Sequence, residues 1–97
     1  MPTYVFLANL TDQGAREVED TTRRAQATDE TIKRHGGTTR DIFWTQGRFD
    51  VVMTADAPDD EAASAISLAI GRQGFLRIET LRAYDAGEVD GILARLG

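Results

Sequence analysis

The sequence predicts an α+β domain of the ferredoxin-like type: a βαββαβ chain with one four-stranded antiparallel sheet, helices on one face, and an extra C-terminal helix. Three observations predict it. Four runs rich in β-branched and aromatic residues alternate with two helical segments in the order β-α-β-β-α-β. Only Gly47 and Arg48 separate the second and third of these runs, which makes them a hairpin. No linker or repeat divides the chain, so residues 1–97 are expected to form a single domain.

The run TYVFLANL (3–10) has little polarity and reads as a strand buried on both faces. Thr11 follows as a helix N-cap, with Asp12 in the favourable first turn. Residues 12–35 then read as a helix, with Val18, Thr22, Ala25, Asp29 and Ile32 at three- and four-residue spacing. Threonines and alanines stand where leucines would strengthen that stripe. The helix therefore needs tertiary support, and its middle has room to be irregular. His35-Gly36-Gly37 ends it with a glycine stop signal.

TRDIFWTQ (39–46) and FDVVMTAD (49–56) are the hairpin strands, joined by a two-residue loop of type II′ character. Residues 57–74 read as a helix. Pro58 sits near its first position, acids fill its first turn, and Gly71 and Gly74 lie at its end. Its apolar stripe is Ala62, Ile66, Ala69 and Ile70, with Leu68 at the margin. FLRIETLRAYD (75–85) is the fourth strand. The tail AGEVDGILARLG carries Val89, Ile92, Leu93 and Leu96 on a short helix.

Composition narrows the function. Apolar content of 41% and charged content of 28% suit a soluble globular chain. No apolar run approaches the roughly 18 residues of a membrane span, and the N-terminus lacks the pattern of a signal peptide. A cytoplasmic protein with no membrane partner is expected. Without cysteine, disulfides, thiolate nucleophiles and cysteine metal sites are excluded. Acids outnumber bases 16 to 11 and the bases are scattered, so no nucleic-acid partner is expected.

Counting outwards from Gly47-Arg48 pairs Trp44 with Val51, Phe43 with Val52 and Ile42 with Met53. Alternation then sorts the hairpin into two sets. Ile42, Trp44, Gln46, Phe49, Val51, Met53 and Ala55 are assigned to the core beneath the helices. Asp41, Phe43, Thr45, Asp50, Val52 and Thr54 face the other way. Strand 3–10 is apolar on both sides, yet helices cover only one. An uncovered apolar sheet face marks an interface, and the simplest cover is a second copy. A homodimer with a space between two facing sheets is the resulting expectation.

The blocks YVFLANLTDQG, GRFD, APDDEAA and RIETLRAY resemble those of the GYD domain family, named for its Gly-x-[Tyr/Phe]-Asp hairpin. The resemblance runs from Tyr4 to about Tyr84 in the family's order and spacing. That family is similar to the dimeric α/β-barrel superfamily, which includes cofactor-free monooxygenases, muconolactone isomerase-like enzymes, stress-responsive barrel proteins and haem-dependent relatives. The resemblance implies a ferredoxin-like dimer, but no particular reaction. Phe49 stands where the family commonly has tyrosine, so a phenol at that position has no role here.

Asp50 is the candidate catalytic residue: a carboxylate in a partly apolar cavity, suited to proton transfer. Its competing role is to accept hydrogen bonds that hold the turn, which is the commoner use of such a carboxylate. Asn9, Phe43, Thr45 and Val52 would line a ligand space between the sheets. Arg48, at the loop tip, would clamp a ligand carboxylate or else be simply solvated. Trp44 either lines a pocket or, as its register indicates, fills the core.

His35, the only histidine, fits helix-end capping. Arg77, Glu79 and Arg82 read as paired charges at the sheet edge or dimer seam. The acids at 59–61 are explained by the helix dipole. No serine–histidine–aspartate set or phosphate loop is present, and no cofactor or metal is expected. The leading expectation is a small homodimer that binds a small, partly apolar molecule between its sheets. The alternatives are a cofactor-independent monooxygenase- or isomerase-like enzyme using Asp50, and an assembly or stress protein without a pocket.

Overall fold

In a computed structural model of residues 1–97, β1 (Thr3–Leu10) leads into α1 (Asp12–Arg16), a 3₁₀ turn at Val18–Asp20 and α2 (Thr21–Arg34). The hairpin strands β2 (Thr38–Trp44) and β3 (Val51–Asp56) follow. After them come α3 (Asp60–Gly71), β4 (Leu76–Ala83) and α4 (Ala86–Ala94). The sheet order is β2-β3-β1-β4 with every neighbour antiparallel, the ferredoxin-like arrangement. No helix is long and apolar enough to cross a membrane.

Alternation builds the core. Tyr4, Phe6 and Ala8 of β1 and Val51, Met53 and Ala55 of β3 point to the helix side. There Ile32 of α2 and Ala63, Ile66 and Ile70 of α3 bury them. The opposite face has no helix over it. Val5, Leu7, Asn9, Val52 and Thr54 are half-buried there by their neighbours, and Phe43 is exposed. Two-sided burial of β1 is therefore incomplete within one chain.

The helix expected over 12–35 is interrupted at Glu17–Asp20, and tertiary contacts explain why. The Thr11 hydroxyl accepts the Gly14 N–H at 3.1 Å and caps α1. The same residue donates its backbone N–H to the Phe75 carbonyl at 3.1 Å and its hydroxyl to the Gly74 carbonyl at 2.5 Å. Gly14 then lies flat on this connection: a Cβ there would come within 2.2 Å of the Phe75 oxygen. The stitch holds α1 against the α3–β4 turn, and α2 starts afresh after the break. Its buried positions are Thr28, Thr31 and Ile32, whereas Val18 and Thr22 of the expected stripe are exposed.

The hairpin keeps its expected register at Ile42–Met53, Phe43–Val52 and Trp44–Val51. The ladder stops at Trp44, however, and the two-residue loop widens to residues 45–50. Thr45 closes it by donating its backbone N–H to the Asp50 carbonyl at 2.9 Å. Gly47, at φ +105°, supplies the backbone region that other residues avoid. Because the strands end early and β2 is a sheet edge, the assigned core set shrinks. Val51, Met53 and Ala55 are buried and Ile42 is partly so, while Trp44 is 47% exposed and Gln46 is exposed. Further out, Arg40 is an extra residue that bulges β2 between Thr39 and Asp41.

Helix α3 starts later than expected, because the Asp59 carboxylate caps it by accepting the Ala62 N–H at 2.8 Å. Leu68 points away from the core and is 73% exposed. Helix α4 forms where the tail pattern places it, but buries no residue. The molecule extends 52 Å along its longest axis, with a radius of gyration of 14.5 Å. A compact chain of this length would have about 12.5 Å.

Two outcomes test this packing. Gly14→Ala is expected to cost about 2–3 kcal/mol in urea unfolding, because a backbone oxygen must move to admit the methyl group. Tyr4 is buried and donates its hydroxyl to Asp60 at 2.6 Å; burial first, then the neighbouring carboxylate, pushes its phenol from 10.0 up to about 12. Its contribution to stability is accordingly complete below pH 10 and lost as pH rises toward 12. Tyr4→Phe is expected to flatten the alkaline limb of stability against pH.

Candidate functional site

Small residues on one side of α2 leave an apolar recess beneath the helix. Thr21, Ala25 and Thr28 lie at i, i+4 and i+7, so they share the face turned toward β2 and β3. None is long enough to reach the sheet fully. The cleft beneath them is walled by Leu10, Ile42, Trp44, Val51, Met53, Ile70, Phe75 and Leu76. Its polar groups come from Glu17, Thr21, Arg24, Thr28 and Gln73. As it stands the cavity is narrow, about 30 Å³, which is room for a water molecule rather than for a ligand.

Two side chains keep it narrow. The Trp44 indole donates to the Thr21 hydroxyl at 2.9 Å, joining the edge strand to the first residue of α2. Arg24 reaches across to lay its guanidinium over the Phe75 ring. Its Nη2 meets Glu17 at 3.0 Å and Asp20 at 3.8 Å. The interrupted helix matters here, because the 3₁₀ turn brings both acids back toward the first turn of α2. Arg24 is only 24% exposed, and its Nε is buried with no hydrogen-bond partner. A buried donor left unpaired is costly.

The residues singled out from the sequence lie elsewhere. Asn9, Phe43 and Val52 share the open face of the sheet, where Phe43 faces Val52 across the hairpin and Val52 faces Leu7 of β1, while Thr45 and Asp50 lie in the loop that joins the hairpin strands. Arg48 stands apart at the loop tip, with its guanidinium 5.3 Å from the Phe49 ring. The Asp50 carboxylate accepts the Leu10 N–H at 2.9 Å, and its own N–H goes to the Ala8 carbonyl at 2.9 Å. Because β3 begins only at Val51, it offers Leu10 no backbone acceptor, and the side chain takes that place. Asp50 therefore ties the hairpin base to the end of the central strand.

His35 is the residue that ends α2, with Nδ1 2.8 Å from the Thr31 carbonyl. Arg82 pairs with Glu88 at the start of α4, at 2.7 Å, rather than with a strand neighbour. Three or more metal-ligating side chains do not converge anywhere. The cleft itself was missed by sequence reasoning, although its signal is present: small residues at 21, 25 and 28 on a helix that must cover a sheet. What pattern alone does not reveal is that Arg24 folds inward.

The tie made by Asp50 has a measurable consequence. Asp50→Asn keeps an acceptor for Leu10 and is expected to cost less than about 1 kcal/mol in chemical unfolding, whereas Asp50→Ala removes it and costs about 1–2 kcal/mol.

A family model described as the GYD domain matches residues 4–93, from β1 into α4. No curated protein matches the chain. With a match spanning nearly its whole length, the chain belongs to the GYD domain family.

Proposed function

We propose that the chain acts as a homodimer that binds a small, partly apolar molecule carrying an acceptor group such as a carboxylate. The observation that carries this reading is the unpartnered Nε of Arg24, buried beside apolar walls in the cleft under α2. Apolar lining with one or two oriented polar groups is the usual composition of a small-molecule site. Guanidinium and carboxylate suit each other geometrically, and a ligand anion would compete with Glu17 for the same cation. The ligand body would then displace Trp44 from Thr21 and take its place against Ile42, Val51 and Met53.

The dimer reading has separate support. Phe43, Val52 and Leu7 form one cross-strand row on the face without helices, and Val5 and Leu81 lie in the next. A ligand space between paired sheets, lined by Asn9, Phe43, Thr45 and Val52, would require that face to stay partly open in the dimer. The helix-side cleft requires only side-chain movement, which favours it. Proton transfer by Asp50 gains no support from its position, since one of its carboxylate oxygens serves to accept the Leu10 N–H.

Trp44 is the only tryptophan, so its emission reports on the cleft directly. Titration with benzoate, phenylpropionate and octanoate is expected to shift that emission, with micromolar to millimolar dissociation constants. Arg24→Met is expected to weaken the effect at least about tenfold, through loss of the charge-assisted bond. Emission unchanged by every acid at millimolar concentration refutes the site.

A further inference from the structure

We propose that α4 is an arm by which each chain clasps a second copy of itself. This rests on the homodimer reading above and adds to it a surface that the sheet face does not supply. Val89, Ile92 and Leu93 recur at i, i+3 and i+4 along the helix, and Leu96, at i+7 just past its C-cap, extends the same apolar spacing. Their exposure rises from 38% at Val89 to 80% at Leu96. No residue of this stripe is fully buried by its own chain.

The helix is nonetheless aimed. Asp85 and Glu88 form a reciprocal capping box, and Arg82 of β4 holds Glu88 at 2.7 Å. These bonds fix the first turn of α4 to the end of β4 while the rest projects. Nine residues are too few to keep a helix stable in water unaided. A partner that buries the stripe would supply what the segment lacks.

Two observations identify that partner as another copy. The open sheet face offers a matching apolar surface on a second copy: Leu81 lies on that face opposite Val5 and is 41% exposed. Area agrees. The chain exposes 6353 Å². Monomeric proteins of its mass expose about 5,500 Å², so the excess is roughly 900 Å², close to the ~800 Å² that one side of a standard interface buries. A two-fold axis gives each copy one arm and one open face, so the surfaces complete each other.

The test compares the full-length wild type with Ile92→Glu/Leu93→Glu, using sedimentation over a concentration series and amide hydrogen exchange. The wild type is expected to dimerise at micromolar concentration, with protection of the α4 amides rising with the dimer fraction. The double variant is expected to raise the dimer dissociation constant at least about 100-fold, since two large apolar side chains leave the contact. Its fold survives, because neither side chain is buried; circular dichroism checks this. A wild-type dimer that the double variant leaves intact overturns the arm and leaves the sheet-face dimer standing. A wild type that stays monomeric at about 100 µM overturns both, with a dissociation constant outside the range of a functional dimer.

Discussion

Everything in this molecule depends on the position of β1 between β3 and β4. As the central strand it is hydrogen-bonded on both edges, and its alternation decides what each side of the sheet must do. Tyr4, Phe6 and Ala8 commit one side to the helices, where all three are buried. Val5 and Leu7 commit the other side to being apolar without giving it a cover. The end of the same strand then needs tying off. Asp50 accepts Leu10 on one side, and Thr11 begins the stitch to Phe75 on the other.

Much of this was legible in the sequence, for physical reasons that can be named. Strand alternation and a glycine-initiated loop are local signals, so the order of elements and the hairpin register both followed from counting. The helix start at Thr11 was also legible, whereas that of α3 was set three residues too early because Asp59 caps the helix instead of lying within it. The break at Glu17–Asp20 was harder, because it arises from Gly14 lying on the Phe75 carbonyl, a contact between residues far apart in the chain. The same limit applies to Trp44. Its register was right, but its burial depended on whether the helix above an edge strand carried large or small side chains.

The candidate site divides in the same way. Period-two geometry puts Phe43, Val52 and Asn9 on the open face, but it does not reach Thr45 and Asp50, which lie in the widened loop. What each does was not readable, since the partner of Asp50 is a backbone N–H on another strand. The cleft under α2 depends on volumes rather than on periods. Thr21, Ala25 and Thr28 read from the sequence as a weak helix stripe. In three dimensions that weakness is the space itself, and Arg24 occupies its rim.

The close approach of Gly14 to Phe75 has a mechanical consequence for that space. The contact welds α1 to the turn that carries Gln73 and Phe75, with the bonds of Thr11 on either side of it. Two sides of the cleft thus belong to one rigid piece of backbone and shift together or not at all. Widening would fall instead to the two side chains that close the cleft, Trp44 through its bond to Thr21 and Arg24 over the Phe75 ring. Of these two, Trp44 is tied to α2 by one hydrogen bond alone.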